Sequence, residues 1–322
     1  MCTNSDRLDK SAKVASLYGF FQGNTFLTSG NVQLKPNYFK GKESPWSLAF
    51  AGHSVKDVFK IDDPVFCSKY VQALSGDGQE ANKMMTLHSS SLASLLVFYS
   101  VSKDNPIYVK VNDKEEKFTE SLFEVKNEVC EGSGNFSNVD VVLRGDGCVL
   151  YLESKFSEYL GSRPVAVKKV DYYDVIYGRL TDTLKKAGVQ LLAKDGKRFL
   201  EREDETAFYN EGLKQMISHY LGVTTEICTG RLKTAEKKIA LGEVLFYFGD
   251  MVPVSSKKYE SYEAAYAILR KGLEDCVKED DTNLIINDLT TYQSILGLES
   301  NRQFLMNLPE NIREFYRFNE LI

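Results

Sequence analysis

The stretch VDVVLRGDGCVLYLESKF, residues 139–156, constrains this chain more than any other segment. Asp146-Gly147 stands between two apolar runs, and that dipeptide is a strong signal for a two-residue hairpin turn of type I′, in which both central residues take positive φ. With those two residues as the loop, Gly145 pairs with Cys148 and the numbers of every cross-strand pair sum to 293. Side chains alternate along a strand, so Val139, Val141, Leu143, Leu150 and Leu152 share one face with Ser154 beyond them. Asp140, Tyr151, Glu153 and Lys155 share the other face, and Asp140 faces Glu153.

Two carboxylates opposed across a sheet have Cβ atoms roughly 5 Å apart and repel, so such a pair does not serve stability. A divalent cation reverses the sign of that interaction. Hard oxygen ligands of this kind suit Mg²⁺ or Mn²⁺, with water and substrate phosphate completing the coordination. Lys155 beside such an ion could orient or deprotonate a water, or stabilise charge on a phosphorane. By residue type alone, a solvent-exposed hairpin with a Lys–Glu pair accounts for the same residues equally well. A slip of one residue in register would put Asp140 and Glu153 on opposite faces and remove the argument.

Composition decides what else the chain can be. Of 322 residues, 43% are apolar and 26% charged, which excludes disorder, collagen and coiled coil as the main state. The longest apolar stretch, 92–101, carries Ser94, Tyr99 and Ser100 and is too short and polar for a membrane span. The N-terminal sequence lacks the pattern of a secretory signal, and the six cysteines form no C-x-x-C pair, so a cytoplasmic protein without a cysteine zinc site is expected. The formal charge of −5 argues against coating nucleic acid by bulk charge. Its placement is uneven: residues 161–240 hold 15 Lys/Arg and 11 Asp/Glu, a local +4, which leaves −9 on the remainder.

Along the chain, residues 1–75 mix short apolar runs with Gly and Pro and read as an accessory region of strands and turns. Apolar spacing of three and four predicts a helix over 80–98, and extended segments follow at 123–129, 139–144 and 148–156. In a polar insert, RLTDTLKK reads as helix and KDGKRFLEREDE as a turn flanked by solvated charge. Leu213, Met216, Ile217, Tyr220 and Leu221 predict an amphipathic helix ended by Gly222. Residues 239–248 read as a buried strand, 262–277 as a helix, and the rest of 255–322 as a helical extension on a core spanning 76–254.

An Asp near the start of one strand, a tight turn, and Glu-x-Lys at the end of the next resembles the signature of the PD-(D/E)XK nuclease superfamily, here Val139-Asp140 and Glu153-Ser154-Lys155. Val139 stands where the usual Pro would. The segments LHSSSLASLLVF, FEVKNEV, LESKFSEYL and KQMISHYLG extend the likeness over roughly 77–250, toward a bacterial family regarded as restriction endonucleases. The resemblance implies a restriction-endonuclease-like α/β fold, a mixed sheet sandwiched by helices, with N- and C-terminal additions. It implies a Mg²⁺- or Mn²⁺-dependent DNA endonuclease with Asp140 and Glu153 as metal ligands, Lys155 as the catalytic lysine and Glu80 as a candidate third ligand. Gln215 resembles the Gln that contacts metal-bound water or DNA.

Glu124, Glu158 and His219 are secondary candidates. On a helical wheel Gln215 and His219 lie away from the apolar stripe, and only the resemblance places that face over a site. Arg163, Lys168, Lys169, Lys214, Arg231 and Lys233 are candidates for phosphate contacts. DNA is the expected partner, with no membrane and a homodimer left open. A non-catalytic nucleic-acid-binding or protein-interaction member of the same fold, and an RNA or single-strand nuclease, stand as alternatives.

Overall fold

The computed structural model describes residues 17, 20–21, 23–28, 32–39, 42–51, 54–75, 84–160, 166–167, 189–194, 197–202, 211–232, 237–252 and 255–322. Before residue 76 the chain forms helix α1 (Thr25–Thr28), an antiparallel pair β1 (Leu34–Phe39) and β2 (Lys42–Phe50), and helices α2 (Val55–Phe59) and α3 (Pro64–Ala73). Local chemistry sets both later helices: Ser54 and Asp57 close a capping box on α2, and Asp63 caps α3 with Pro64 at its first position.

Of the helix expected over 80–98, residues 80–83 lie outside the described residues, and helix α4 spans Ser90–Phe98. Ser89 Oγ accepts the Leu92 N–H at 3.1 Å and fixes the start, while the preceding turn is drawn to β2, where Phe50 N–H donates to Met85 O at 2.9 Å. Strands β3 (Ile107–Val111) and β4 (Lys114–Phe118) then form a hairpin through Asn112 and Asp113, whose φ values are 46° and 63°. The positive-φ pair that a type I′ turn requires is therefore here.

The central sheet contains β5 (Glu120–Glu128), β6 (Phe136–Arg144) and β7 (Cys148–Lys155), all antiparallel. Val141 pairs with Leu152, Val142 with Tyr151, Leu143 with Leu150 and Arg144 with Val149, the register expected from the turn position. The turn type differs from expectation. Gly145 N–H closes the loop on Cys148 O at 2.8 Å, but neither Asp146 nor Gly147 has positive φ. Tertiary bonds shape this turn instead: Lys238 N–H donates to Gly147 O at 3.0 Å and the Lys237 ammonium to Gly145 O at 2.9 Å. Gly145 is needed for close approach, since a Cβ there would sit 2.0 Å from Lys117 O.

A separate sheet in the insert joins β8 (Ala166–Val167), β9 (Val189–Lys194) and β10 (Lys197–Arg202). A turn flanked by charge is expected here; the flanking residues form two paired strands whose register sets Leu191 against Leu200 and Leu192 against Phe199. The expected helix at 179–186 lies outside the described residues. Helix α5 (Glu211–Cys228) crosses to β11 (Lys238–Leu245), which runs parallel to β7. Helix α6 (Ser255–Glu279) leads to β12 (Leu284–Ile286) and β13 (Thr290–Thr291), both parallel to β11, then to α7 (Tyr292–Leu296), α8 (Arg302–Asn307) and α9 (Glu310–Phe315).

The result is a mixed α/β architecture in which a six-stranded sheet is flanked by helices. Every residue of β7 is buried, as both covered faces demand. Helices α4 and α7 meet the Ser154 side, where Ser154 Oγ donates to Ser90 O at 3.0 Å and lies 2.7 Å from Tyr292 Oη. Helix α5 covers the other side. One continuous apolar core runs from Leu17 to Phe318 and includes residues from all three regions distinguished in the sequence. Among the described residues no helix is long and apolar enough to cross a membrane.

Helix α5 does not end at Gly222 but continues to Cys228. Gly222 is there for contact: a Cβ would stand 2.6 Å from Ser137 Oγ and 2.9 Å from Asn127 Cβ. Helix propensity alone favours Ala over Gly by about 1 kcal/mol. The clash dominates, so Gly222→Ala is expected to lower unfolding free energy in urea by about 1–3 kcal/mol; a gain in stability would refute the close-packing account.

Candidate active site

Four acidic residues fall in one row across four adjacent strands. Glu124 on β5 lies between the pairs Phe123–Val141 and Val125–Val139, and so stands opposite Asp140 on β6. Glu153 on β7 follows, and Glu243 on β11 is its register partner. The β6–β7 ladder stops at Val141 and Leu152. Beyond it Asp140 Oδ2 accepts the Ser154 N–H at 2.8 Å, so a side-chain carboxylate takes the role that a backbone carbonyl plays elsewhere in the ladder. On the other flank Glu124 has φ of 49°, a left-handed backbone that a non-glycine residue holds only when its surroundings impose it.

Lys155 and two residues of α5 complete the cluster. The Lys155 ammonium donates to Glu153 Oε1 at 2.5 Å and to Gln215 Oε1 at 2.7 Å. His219 Nε2 lies 2.7 Å from Glu153 Oε2, and no hydrogen bond satisfies His219 Nδ1. Gln215 and His219 are one helical turn apart and therefore face the sheet together. Glu153 and Lys155 are 1% and 4% exposed, whereas Asp140 and Gln215 are half-buried and form the open side of the cluster.

Burial opposes ionisation of Glu153, but the charges and hydrogen bonds of Lys155 and His219 outweigh it and hold the carboxyl down at about 2. Asp140 moves the other way: burial raises it, the Glu153 charge raises it further, and Lys155 only partly offsets both. Burial would lower the Lys155 pKa; Glu153, Glu158, Asp140 and Glu243 overcome it and push the group above its ordinary value. At neutral pH Lys155 is thus an ammonium donor and not a base. Burial lifts Glu243 to about 8 despite Lys155 and a hydrogen bond from Tyr262 Oη.

The remaining candidates are placed as follows. Glu158 Oε2 accepts the N–H groups of Phe156 at 2.7 Å and Ser157 at 2.9 Å, capping the backbone that leaves Lys155. Arg231 sits beyond the C-terminus of α5, bound to Glu226 at 3.4 Å and Glu128 at 3.6 Å, and is not brought to the cluster. Along the helix it is roughly 20 Å or more from Gln215. Lys214 lies on α5. Glu80, Arg163, Lys168, Lys169 and Lys233 lie outside the described residues. Glu243 and Tyr262 escaped the sequence reading; the available signal was a lone acid inside the apolar run IALGEVLFYF.

Asp140 and Glu153 are the residues of the cluster that could hold a hard cation. Asp140 and Glu153 offer adjacent hard oxygens, and Mg²⁺ characteristically takes one or two carboxylates with water and phosphate filling the other positions. Acid exceeds base in the cluster, so a cation would relieve the repulsion that raises Asp140. Among the described residues no group of three or more His, Cys, Asp or Glu side chains is arranged around one point for a metal. Two cavities, of about 510 Å³ beside Lys60 and Glu314 and about 320 Å³ beside Tyr247 and Arg317, lie away from the cluster. Comparison with protein-family models, with curated proteins and with solved structures finds no match.

Glu153→Gln leaves the Lys155 charge buried without its main counter-ion and is expected to cost about 3–5 kcal/mol in chemical denaturation. The Glu153 carboxyl is near 2 in the folded chain and about 4.3 unfolded. Its contribution is fully present above the unfolded value and is lost as pH falls toward 2. Unfolding free energy measured from pH 6 to 2.5 should therefore fall more steeply in the parent than in Glu153→Gln; parallel curves would contradict this assignment.

Proposed function

We propose that the chain is a Mg²⁺- or Mn²⁺-dependent endonuclease that hydrolyses phosphodiester bonds in DNA, built on the restriction-endonuclease-like fold. One observation carries the reading: Asp140, Glu153 and Lys155 meet on a register-fixed hairpin, with Gln215 of the following helix bonded to the Lys155 ammonium. The order α4, β5, β6, β7, α5, β11, with β11 parallel to β7, supports it, because the resemblance implies a mixed sheet between helices with such a hairpin at its centre. Five described cysteines are free, in keeping with a reducing cytoplasm.

Asp140 and Glu153 would hold the cation. A bound Mg²⁺ supplies Lewis acidity toward a phosphoryl oxygen and lowers the pKa of a coordinated water. Lys155 donates to the attacking water or to a phosphate oxygen where negative charge grows. Gln215 orients Lys155 and His219 orients Glu153, so both enter the reaction with defined geometry. In a homodimer, two such sites would address the two strands of a duplex.

The saturation of both Glu153 oxygens by Lys155 and His219 favours a second reading, a member of the fold that binds nucleic acid or a protein without cleaving. Plasmid nicking with Mg²⁺ or Mn²⁺ separates them, with the same assay on single-stranded DNA and RNA to sort the substrate. The parent is expected to nick plasmid DNA, with Asp140→Ala and Lys155→Ala each slower by about 10²-fold or more. Equal rates in all three would sink the nuclease reading, and no Mg²⁺ uptake by calorimetry would favour the binding module.

A further inference from the structure

Glu243 is a member of the acidic row to which the nuclease reading gives no role. It is fully buried, and it is the register partner of Glu153 on the neighbouring parallel strand. Its Oε1 accepts a hydrogen bond from Tyr262 Oη on α6, while Oε2 has no hydrogen-bond partner. A buried carboxyl oxygen with no donor costs about 1–3 kcal/mol, so a second arrangement that supplies a donor is the physical expectation. Tyr262 and Tyr266 pack on this side from α6, and Tyr266 Oη is already engaged with Asn287 O. The strongest charge acting on Glu243 is Lys155. Lys155 is two residues beyond Glu153 on β7, placing it diagonally across from Glu243, within reach of a long side chain on the same face.

Lys155 meanwhile has a competing claim on it. In the present arrangement its ammonium occupies Glu153 Oε1 while His219 holds Oε2, so a cation on Asp140 and Glu153 needs one of these oxygens freed, and Oε1 is the one whose partner sits on a long flexible side chain. Freeing Oε1 moves the ammonium away, and a buried ammonium needs a carboxylate beside it; its approach lowers the Glu243 pKa that burial holds up, so that carboxyl sheds its proton as it receives the lysine. On these grounds, and resting on the metal-site reading above, we infer that Glu243 is a positioning residue: it receives the Lys155 ammonium at Oε2 when Glu153 turns to a cation. Tyr262 holds the carboxyl by Oε1 so that Oε2 faces the incoming ammonium. Lys155 thus passes between two carboxylates in register on neighbouring strands, keeping Gln215 as its constant partner.

A double-mutant cycle on Mg²⁺ uptake tests this without recourse to activity. Calorimetric titration with MgCl₂ on the full chain would compare the parent, Glu243→Gln, Lys155→Met and the double variant. The inference expects Glu243→Gln to weaken Mg²⁺ binding at least tenfold in the parent background and by less than twofold in the Lys155→Met background. Glu243→Asp should recover part of the loss. An effect of equal size in both backgrounds would mean that Glu243 acts on the ion directly, and no effect in either would mean that it only ties α6 to the sheet; both outcomes overturn the inference and leave the metal site standing. A parent that takes up no Mg²⁺ overturns the metal site, and this inference with it. Should Glu243→Gln not fold, Tyr262→Phe serves in its place, with a several-fold loss of Mg²⁺ affinity expected only when Lys155 is present.

Discussion

A lysine with 4% of its surface exposed is tolerated in a protein only where carboxylates and carbonyl-type oxygens meet its ammonium at short range, and Lys155 is met by Glu153 and Gln215. Much of the interior can be derived from that requirement. Glu153 must lie beside Lys155 on β7, so β7 must be buried on the face that α5 covers. Gln215 must reach the ammonium, so α5 must approach closely. Gly222 permits this because it is seven residues from Gln215 and three from His219, on the same helical face, and has no Cβ to hold the helix off β5 and β6.

The hairpin register was legible because it depends on a short-range quantity, the position of a two-residue loop between apolar runs. The turn type was not, because the bonds from Lys237 and Lys238 that shape it come from a strand some ninety residues away. The left-handed pair occurs instead at Asn112-Asp113, where the Asn112 N–H donates to Asn287 Oδ1 at 3.1 Å. Gly222 illustrates the same limit. As a local signal it reads as a helix stop, and only the tertiary approach of Ser137 and Asn127 explains a glycine in mid-helix.

The cluster was half legible. Asp140, Glu153 and Lys155 follow from alternation within one hairpin, and Gln215 and His219 share a polar helix face, but the sequence alone does not say what that face covers. Glu243 and Tyr262 are joined through a parallel crossover and a separate helix, contacts that leave no periodic trace. The basic residues expected near the site divide in the same way: Arg231, the one of them with a described side chain, spends its charge on Glu128 and Glu226.

Phe156 follows Lys155 directly, and its ring packs against Phe20 near the start of the chain and against Tyr316 near its end. Asn24 and Arg317 stitch the same two ends together, with Asn24 Nδ2 donating to Phe315 O at 2.7 Å and Arg317 to Phe20 O at 3.1 Å. The 139–156 hairpin and the terminal regions therefore belong to one cooperative folding unit. A fragment trimmed to residues 76–254 would bare the ring cluster of Phe156, Phe246 and Phe248 to water one residue from the buried lysine. Proteolysis at either end should then open the centre of the molecule and not merely shorten it.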